Sequence, residues 1–349
     1  MIAHDLPPVP DGALLVANGK QALSLVAQEL RDHGVHTLLA PDFHCLTMIQ
    51  PFQLEGIGVR HIATDARALM EPHLLGDELA RGSHQAVLHC EVYGARAGAP
   101  LRGVLESARA RGVPVVVDAT HSVLAPSHDP GDYLVASLRK LLPVPDGAFV
   151  TGTARLPSFP RRPSDDEAAR LADLALRCHR DFLAGRASRQ RYMDAVDAAE
   201  DAMLEARQPS DMSRTSLQIM EEIDVAGLRA ARRANAAVLL GRFTGWGLEV
   251  LNPGSPECGL VVRVEDAEAA ERDLLEAGII CPVSWPRPPG LARQVAWRTG
   301  WIAVPVDPGM DRERLERAAD IVRRHAGSVW RRQRPQSRGR CTRAPGEDE

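Results

Sequence analysis

Short apolar segments alternate with helical patterns through the first half of the chain, and this alternation constrains the fold more than any other feature. The segments at 35–40, 86–92 and 113–118 are largely apolar and show little alternation of polar and apolar residues. Strands of a parallel sheet have this character, because helices cover both of its faces. We therefore predict an α/β fold with a mostly parallel central sheet sandwiched by helices.

The last third of the chain has a different pattern, which predicts a smaller C-terminal α+β domain. Strand-like segments at 260–264 and 279–281 flank a helical pattern at 268–277. Another strand-like segment at 301–306 precedes a helical pattern at 312–325. The first three elements predict a compact β-α-β-like segment.

The length of 349 residues predicts two domains, at about 150 residues for each. We expect a large domain in 1–240, with a helical segment at 164–240 leading out of it, and a small domain in 241–326. The polar, arginine-rich tail at 327–349 has no periodicity and is expected to be disordered. The charged helical stretch at 164–208 is interpreted as a solvated insertion.

Composition and charge argue against several classes of function. A formal charge of -4 and a pI near 6.3 provide no overall field for nucleic acid or an anionic membrane. No apolar run approaches the ~18 residues that span a bilayer, and the first residues lack a basic and apolar leader, so we expect a cytoplasmic protein. The six cysteines occur singly, without a C-x-x-C spacing, and we expect neither a metal site nor a disulfide framework.

Lysine is scarce, and its second occurrence is the strongest candidate for catalysis. Of the 42 lysine and arginine residues, only Lys20 and Lys140 are lysine. Arginine cannot replace lysine where a neutral amine must condense with an aldehyde, because the guanidinium stays protonated. Lys140 is therefore a candidate Schiff-base residue, and the alternative is an ordinary surface lysine.

Polar residues also stand where two of the predicted strands end. Asp118 ends the segment 113–118 and is followed closely by His121, and Tyr93 follows the segment 86–92. Ligands of parallel sheets bind beyond the carboxyl ends of the strands. Asp118 is therefore either a ligand contact or a helix N-cap.

A glycine turn near the start of the chain, at Gly19-Lys20-Gln21, leads into a helical pattern. The N-H groups and the dipole at a helix N-terminus together form an anion cradle. The alternative is an ordinary turn from loop to helix.

These residues, taken in order, resemble the motifs of the fold-type-I pyridoxal-phosphate enzymes, and specifically of the DegT/DnrJ-type (sugar) aminotransferases. In that family a V-x-x-D-A-A-H/Q segment precedes S-x-x-K and a glycine, and this chain has residues 115–121, 137–140 and Gly147 in the same order. The resemblance covers roughly residues 14–326. It implies a large domain similar to that of aspartate aminotransferase.

The resemblance implies pyridoxal 5'-phosphate as the cofactor and assigns roles around its ring. Lys140 would form the resting aldimine and then move the α-proton of the substrate, while Asp118 would hold the proton of the pyridine nitrogen. His121 would lie near the phenolic oxygen or brace Asp118, unless its role is structural. His44 or Phe43 would stack on the ring face.

The phosphate of the cofactor would be bound by Gly19, Lys20, Gln21 and Ser137. The family usually has Thr or Ser after this glycine, so Lys20 either contacts the phosphate or faces water.

A second departure from the family lies at 209–212, which reads P-S-D-M where the family has N-Y-R-M. The asparagine of that motif crosses to the phosphate of the neighbouring subunit. Ser210, Ser213 and Arg214 are the candidates to replace it.

The resemblance implies an aminotransferase that moves an amino group from an amino-acid donor to a keto sugar or a small keto or aldehyde acceptor. It also implies a homodimer with shared active sites. Tyr93 and Arg298 are candidate substrate contacts, with Arg287 an alternative for the donor carboxylate and a surface role possible for both arginines. Two further readings are a pyridoxal-phosphate lyase or racemase, and a non-catalytic regulator that would be expected to lack Lys140 or Asp118.

Overall fold

A seven-stranded sheet forms the centre of the protein. The computed structural model describes residues 8–152, 166–205, 208–281, 285 and 300–327. The strands are β1 (Leu14–Val16), β2 (Thr37–Pro41), β3 (Gly58–Ile62), β4 (Gln85–Cys90), β5 (Val115–Asp118), β6 (Tyr133–Ser137) and β7 (Ala148–Gly152). They lie in the order β1-β7-β6-β5-β4-β2-β3. The pairs from β3 to β6 are parallel, and β7 pairs antiparallel with both β6 and β1.

Helices cover both faces of this sheet, as the apolar strands predict. They are α1 (Gly19–Asp32), α2 (Leu46–Leu54), α3 (Pro72–Arg81) and α4 (Ala99–Ala110). Val116 of β5 packs in one core with α1 and α2, whereas Val115 and Val117 pack in a second core with α3 and α4. Successive side chains of a strand point to opposite faces, so β5 must be apolar throughout. The predicted α/β sandwich with a mostly parallel sheet is confirmed.

Four helices follow the sheet along the chain: α5 (Asp166–Leu183), α6 (Arg189–Glu205), α7 (Arg214–Glu222) and α8 (Val225–Gly245). The first two form an antiparallel hairpin, here called the α5–α6 hairpin. Its internal core is small and consists of Ala168, Ala172, Ala199 and Met203. No helix in the described part of the chain is long and apolar enough to cross a membrane.

The C-terminal unit has a separate core. It contains β8 (Leu260–Arg263), α9 (Ala267–Glu276), β9 (Trp301–Val304) and α10 (Arg312–His325), with β8 and β9 antiparallel. This agrees with the predicted smaller α+β unit. Leu239 and Phe243 of α8 are also buried in this core, so the boundary predicted at residue 240 falls within a helix.

The strand predicted at 279–281 is wrong, because these residues form no strand in the structure. The backbone N-H of Ile279 instead donates to Leu274 O at 2.8 Å, which closes the end of α9 after Gly278. The side chain of Ile279 is buried in the C-terminal core. Ile279 is therefore apolar because it is buried just after the end of α9, and not because it belongs to a strand.

Candidate active site

An open cavity lies at the carboxyl ends of β4, β5 and β6. It encloses about 890 Å³ between its walls, including the solvent space at its mouth. Six of the residues singled out from the sequence line this cavity: Gly19, Lys20, Asp118, His121, Ser137 and Lys140.

Asp118 presents a buried carboxyl group to the cavity at the end of β5. Its Oδ1 accepts a hydrogen bond from the backbone N-H of Thr120 at 2.9 Å. Burial raises the pKa of Asp118, although the hydrogen bonds from Thr120 act in the opposite direction. No ion pair joins this carboxyl group to any described residue. The site therefore suits a cationic group on a ligand, because a buried carboxylate is stabilised by a positive partner.

Lys140 enters the cavity from the next strand of the sheet. It ends the single 3-10 turn that follows β6, and its side chain is 35% exposed. The positive charge of Arg139, followed by burial, lowers the pKa of Lys140, and Glu200 acts in the opposite direction. A larger share of neutral amine is available at a lowered pKa, which suits a nucleophile or a base.

His121 lines the cavity and packs against Tyr93. The backbone N-H of Tyr93 donates to Nδ1 of His121, and the two rings stack with their centroids 5.2 Å apart. His121 also stacks against Trp285 at 5.5 Å, and Trp285 lines the cavity. Tyr93 itself is one layer removed from the cavity, so the structure does not bring it among the lining residues.

The N-terminus of α1 faces the cavity next to Ser137. Asn18 caps this helix, since its Oδ1 accepts from the backbone N-H of Gln21 at 3.0 Å. A Cβ at Gly19 would lie 3.3 Å from Cβ of Ser137, so a glycine lets the helix start approach the end of β6. Ser137 is tied in turn to the Asp118 loop, because its N-H donates to Thr120 Oγ1 at 3.1 Å. An anion bound here would meet a helix N-terminus and a hydroxyl group.

Gln21 and His44 are not brought into the cavity. The Gln21 side chain is buried and accepts from the backbone N-H of Ser210 at 3.0 Å. His44 is buried and stacks on His61, with 4.9 Å between ring centroids, and its Nδ1 lies 3.0 Å from Pro41 O. Phe43, the other predicted stacking residue, contacts Trp285 at 5.1 Å. The ring contact nearest to the cavity is therefore Trp285, which the sequence did not mark.

The remaining predicted residues divide into two groups. Arg287 and Arg298 lie outside the described residues. Ser210 and Ser213 bond within their own chain, Ser210 to Gln21 and Ser213 through its Oγ to Asp146 Oδ1 at 2.7 Å. In the described part of the chain, no group of three or more His, Cys, Asp or Glu residues could hold a metal ion.

Sequence analysis missed the contribution of α6. Glu200 and Met203 line the cavity, and Glu200 makes a two-point ion pair with Arg139, at 2.8 Å and 3.0 Å. The interpretation of 164–208 as a solvated insertion is therefore wrong for this face of α6. Ala195, Ala199 and Met203 follow each other at four-residue spacing, and this short stripe was the one signal that the helix is docked.

Comparison with known proteins shows similarity at the level of the fold. No protein-family model matches the sequence, and the comparison with curated proteins found no match. A DegT DnrJ EryC1 StrS aminotransferase from Brucella abortus superposes with a TM-score of 0.59 at 15% identity, covering 91% of this chain and 86% of that chain. The sugar aminotransferase CalS13 from Micromonospora echinospora gives 0.58 at 20% identity, covering 89% and 87%.

A third structure was solved with its cofactor state specified. Spr1654 from Streptococcus pneumoniae, described as a sugar aminotransferase in its PLP-form, gives a TM-score of 0.61 at 14% identity, covering 93% of this chain and 89% of that chain. These similarities establish that the chain has the fold of these aminotransferases over about nine tenths of its length.

Proposed function

We propose that this protein is a pyridoxal-phosphate-dependent aminotransferase. It would move an amino group from an amino-acid donor to a carbonyl acceptor, which is a keto sugar or a small keto or aldehyde compound. The names of the structural neighbours support the reaction class, and one neighbour is specified as a PLP-form. A homodimer, a cytoplasmic location and the division into domains at residues 240 and 326 belong to the same proposal.

The observation that carries this proposal is the convergence of Asp118 and Lys140 on one cavity. Asp118 ends β5 and Lys140 follows β6, and because these strands are adjacent and parallel, both residues face the same edge of the sheet. The buried carboxyl group has no ion-pair partner among the described residues, and a pyridinium nitrogen would supply one. The amine and the acid thus fit the two ends of a pyridine aldehyde.

The other cavity residues fit the same group. The N-terminus of α1 at Gly19 and Lys20, together with the Ser137 hydroxyl, would bind its phosphate. His121 accepts at Nδ1, so its Nε2 carries the proton and would donate to the phenolic oxygen. When bound, pyridoxal phosphate supplies an electron sink that stabilises negative charge on the substrate carbon.

The residues of the chain then hold and move protons. Asp118 would keep a proton at the pyridine nitrogen through charge pairing in a buried site. Lys140 would anchor the cofactor and, once displaced by the amino substrate, take the substrate α-proton at Nζ. The lowered pKa of Lys140 favours this role, because its cause is the fixed charge of Arg139 together with burial.

A half-reaction screen tests the proposal. The purified protein is loaded with pyridoxal phosphate and mixed with single amino acids, while absorbance and released keto acid are followed together. We expect one or a few donors to convert the bound cofactor to its amine form, with one equivalent of keto acid per site. Continuous release of keto acid and ammonia would identify a lyase instead, and failure to bind the cofactor would refute the proposal.

A further inference from the structure

The α5–α6 hairpin places a carboxylate at the candidate catalytic lysine. Glu200 Oε1 lies 2.8 Å from Arg139 Nη1 and 4.0 Å from Lys140 Nζ. Glu200 Oε2 lies 3.0 Å from Arg139 Nη2, so the guanidinium is held at two points. Such two-point pairs fix geometry as well as charge. Glu200 is therefore oriented by Arg139 and directed at the amine.

Contacts at both ends of the hairpin hold it over the cavity. At the turn between the helices, Arg314 of α10 donates to the backbone oxygen of Leu183. At the other end, Ala168 and Met203 line a small cleft together with Asn18, the cap of α1. The hairpin thus bridges the C-terminal unit and the proposed phosphate site, with Glu200 between these two contacts.

We propose that Glu200 is a positioning residue of the active site, whose carboxylate holds the Arg139 guanidinium and the Lys140 ammonium so that the α5–α6 hairpin closes over the lysine. This inference rests on the proposed function only in giving Lys140 its catalytic role. The contacts of Glu200 with Arg139 and Lys140 are present in the protein without cofactor. The inference assigns a function to the α5–α6 hairpin, for which the sequence alone indicates only charged helices.

The charges around Lys140 explain why such a residue is needed. Arg139 is adjacent in sequence and its charge disfavours a second cation, whereas Glu200 favours one. Two thiols also lie near Lys140: Cys45, just before α2, and Cys258, before β8, whose pKa burial raises to about 12, so that Cys258 carries no charge at neutral pH. His121 is neutral, and its pKa is lowered to about 3, mainly by burial. In the described part of the chain, Glu200 is the one carboxylate that forms an ion pair with either cation.

The two states of the lysine make different demands on this carboxylate. When the amine is neutral, Glu200 remains bound to Arg139 through its two contacts and keeps its place. When the amine takes a proton, the same carboxylate is already 4.0 Å away and stabilises the ammonium. The pair would therefore set how readily Lys140 gains and loses a proton without movement of the helix.

The test measures the protonation of Lys140 in the protein without cofactor. The chain has only two lysines, so amine acetylation at a series of pH values, followed by peptide mass spectrometry, assigns each side chain without ambiguity. We expect Glu200→Gln to move the labelling midpoint of Lys140 down by about one pH unit, as expected for a unit charge at this distance. Glu200→Asp should restore most of the midpoint. Asp201→Asn, at an exposed position on the same helix, should leave it unchanged.

Hydrogen exchange on the same proteins reports on closure of the hairpin. Amides of 189–205 should exchange at least about threefold faster in Glu200→Gln than in the wild type, and at the wild-type rate in Asp201→Asn. If Glu200→Gln does not fold, Glu200→Ala is the second variant that removes the charge and keeps a good helix former.

A wild-type midpoint in a folded Glu200→Gln protein would overturn the inference, and so would an equal shift in Asp201→Asn. A shifted midpoint in a protein that never binds pyridoxal phosphate would instead leave the inference standing and reject the proposed function. The two failures are therefore distinguishable.

Discussion

The backbone N-H of Tyr93 donates a hydrogen bond to Nδ1 of His121, with 3.1 Å between the nitrogens. Tyr93 adopts the left-handed conformation, with φ of 50° and ψ of 28°, which is uncommon for a residue other than glycine. Burial, followed by the charge of Lys140, lowers the pKa of His121 to about 3. His121 is therefore a neutral imidazole with its proton at Nε2 throughout the physiological pH range.

Two substitutions at His121 separate the structural contact from the chemistry. His121→Asn can keep an acceptor for the Tyr93 N-H, whereas His121→Phe leaves this buried donor unpaired. We expect His121→Phe to lower the free energy of unfolding by about 1–3 kcal/mol and His121→Asn by clearly less. Both should slow the half-reaction, because both remove the Nε2 donor. Urea unfolding and single-turnover rates measure the two effects, and a wild-type rate in a folded His121→Asn protein would exclude the donor role.

Asp118→Asn should change stability and activity in opposite directions. Without cofactor, the substitution removes a buried carboxylate whose pKa is raised by burial, and it keeps the oxygen that accepts from Thr120. Because the pKa of this carboxyl group is higher in the folded than in the unfolded protein, ionisation of the group lowers the stability of the fold as pH rises above the unfolded-state pKa. The variant should therefore be more stable than the wild type at pH 7 by about 1 kcal/mol. This gain should vanish near pH 4. The half-reaction should slow by about a hundredfold or more, because the pyridine proton is lost.

Unfolding of the protein without cofactor at pH 7 and pH 4 checks the first effect, and single-turnover kinetics check the second. A destabilised variant at pH 7 would show that Asp118 has a favourable partner in the protein itself. An unchanged rate would place the contact with the pyridine nitrogen elsewhere.

The parallel sheet could be predicted because a strand that is buried on both faces is apolar at successive positions, as in Val115 to Val117. The convergence of Asp118 and Lys140 followed from it, since parallel neighbours end at the same edge. The packing of α6 against the cavity could hardly be predicted from its sequence. Glu200 has the pattern of an ordinary helix-surface residue, and only tertiary folding brings Arg139 against it. The same limit explains Ile279, where an apolar side chain fits a helix end as well as a strand.

The stacked pair of His44, in the loop after β2, and His61, in β3, shows another limit of sequence reasoning. His44 was expected on the cofactor ring, yet it stacks on His61, a partner 17 residues away that no local pattern indicates. Aromatic residues stack on whatever flat surface the fold supplies. Residue type predicted the kind of contact, and only the fold determined the partner.

Lys140→Ala should abolish covalent attachment of the cofactor and all turnover, since the one other lysine of the sequence, Lys20, stands at the start of α1, where the phosphate would bind. The fold should persist, because the side chain is about one third exposed. Borohydride reduction after loading, followed by peptide mass spectrometry, locates the attached cofactor. Lys20→Ala is the matched control, and it should keep the attachment while binding the phosphate more weakly. Labelled cofactor on a Lys140→Ala protein would refute the assignment.

His44 should contribute to the acid sensitivity of the fold. Burial, followed by the nearby His61, lowers its pKa to about 4, while an unfolded histidine titrates near 6.5. Because the pKa of His44 is lower in the folded than in the unfolded protein, the unfolded chain takes up the proton first as pH falls below the unfolded-state pKa. Protonation of the unfolded chain lowers the free energy of unfolding. Between pH 7 and pH 5, His44→Phe should therefore lose about 2 kcal/mol less stability than the wild type. His73→Gln, at an exposed position, is the control, and equal pH dependence in all three proteins would show that His44 is not buried as a neutral ring.

Gly19→Ala should weaken binding of the phosphate without disturbing the rest of the site. The added Cβ would lie 3.3 Å from Cβ of Ser137, so the start of α1 and the end of β6 must move apart by a few tenths of an ångström. Charge-assisted hydrogen bonds to an anion are sensitive to such a shift, and we expect the affinity for pyridoxal phosphate to fall about tenfold.

Pyridoxal, which lacks the phosphate, should bind equally to both proteins. Gly103→Ala, in α4 with open space around it, should behave as the wild type. Equal loss of affinity for pyridoxal would place the damage at the ring, and the phosphate would then have to be bound away from the N-terminus of α1.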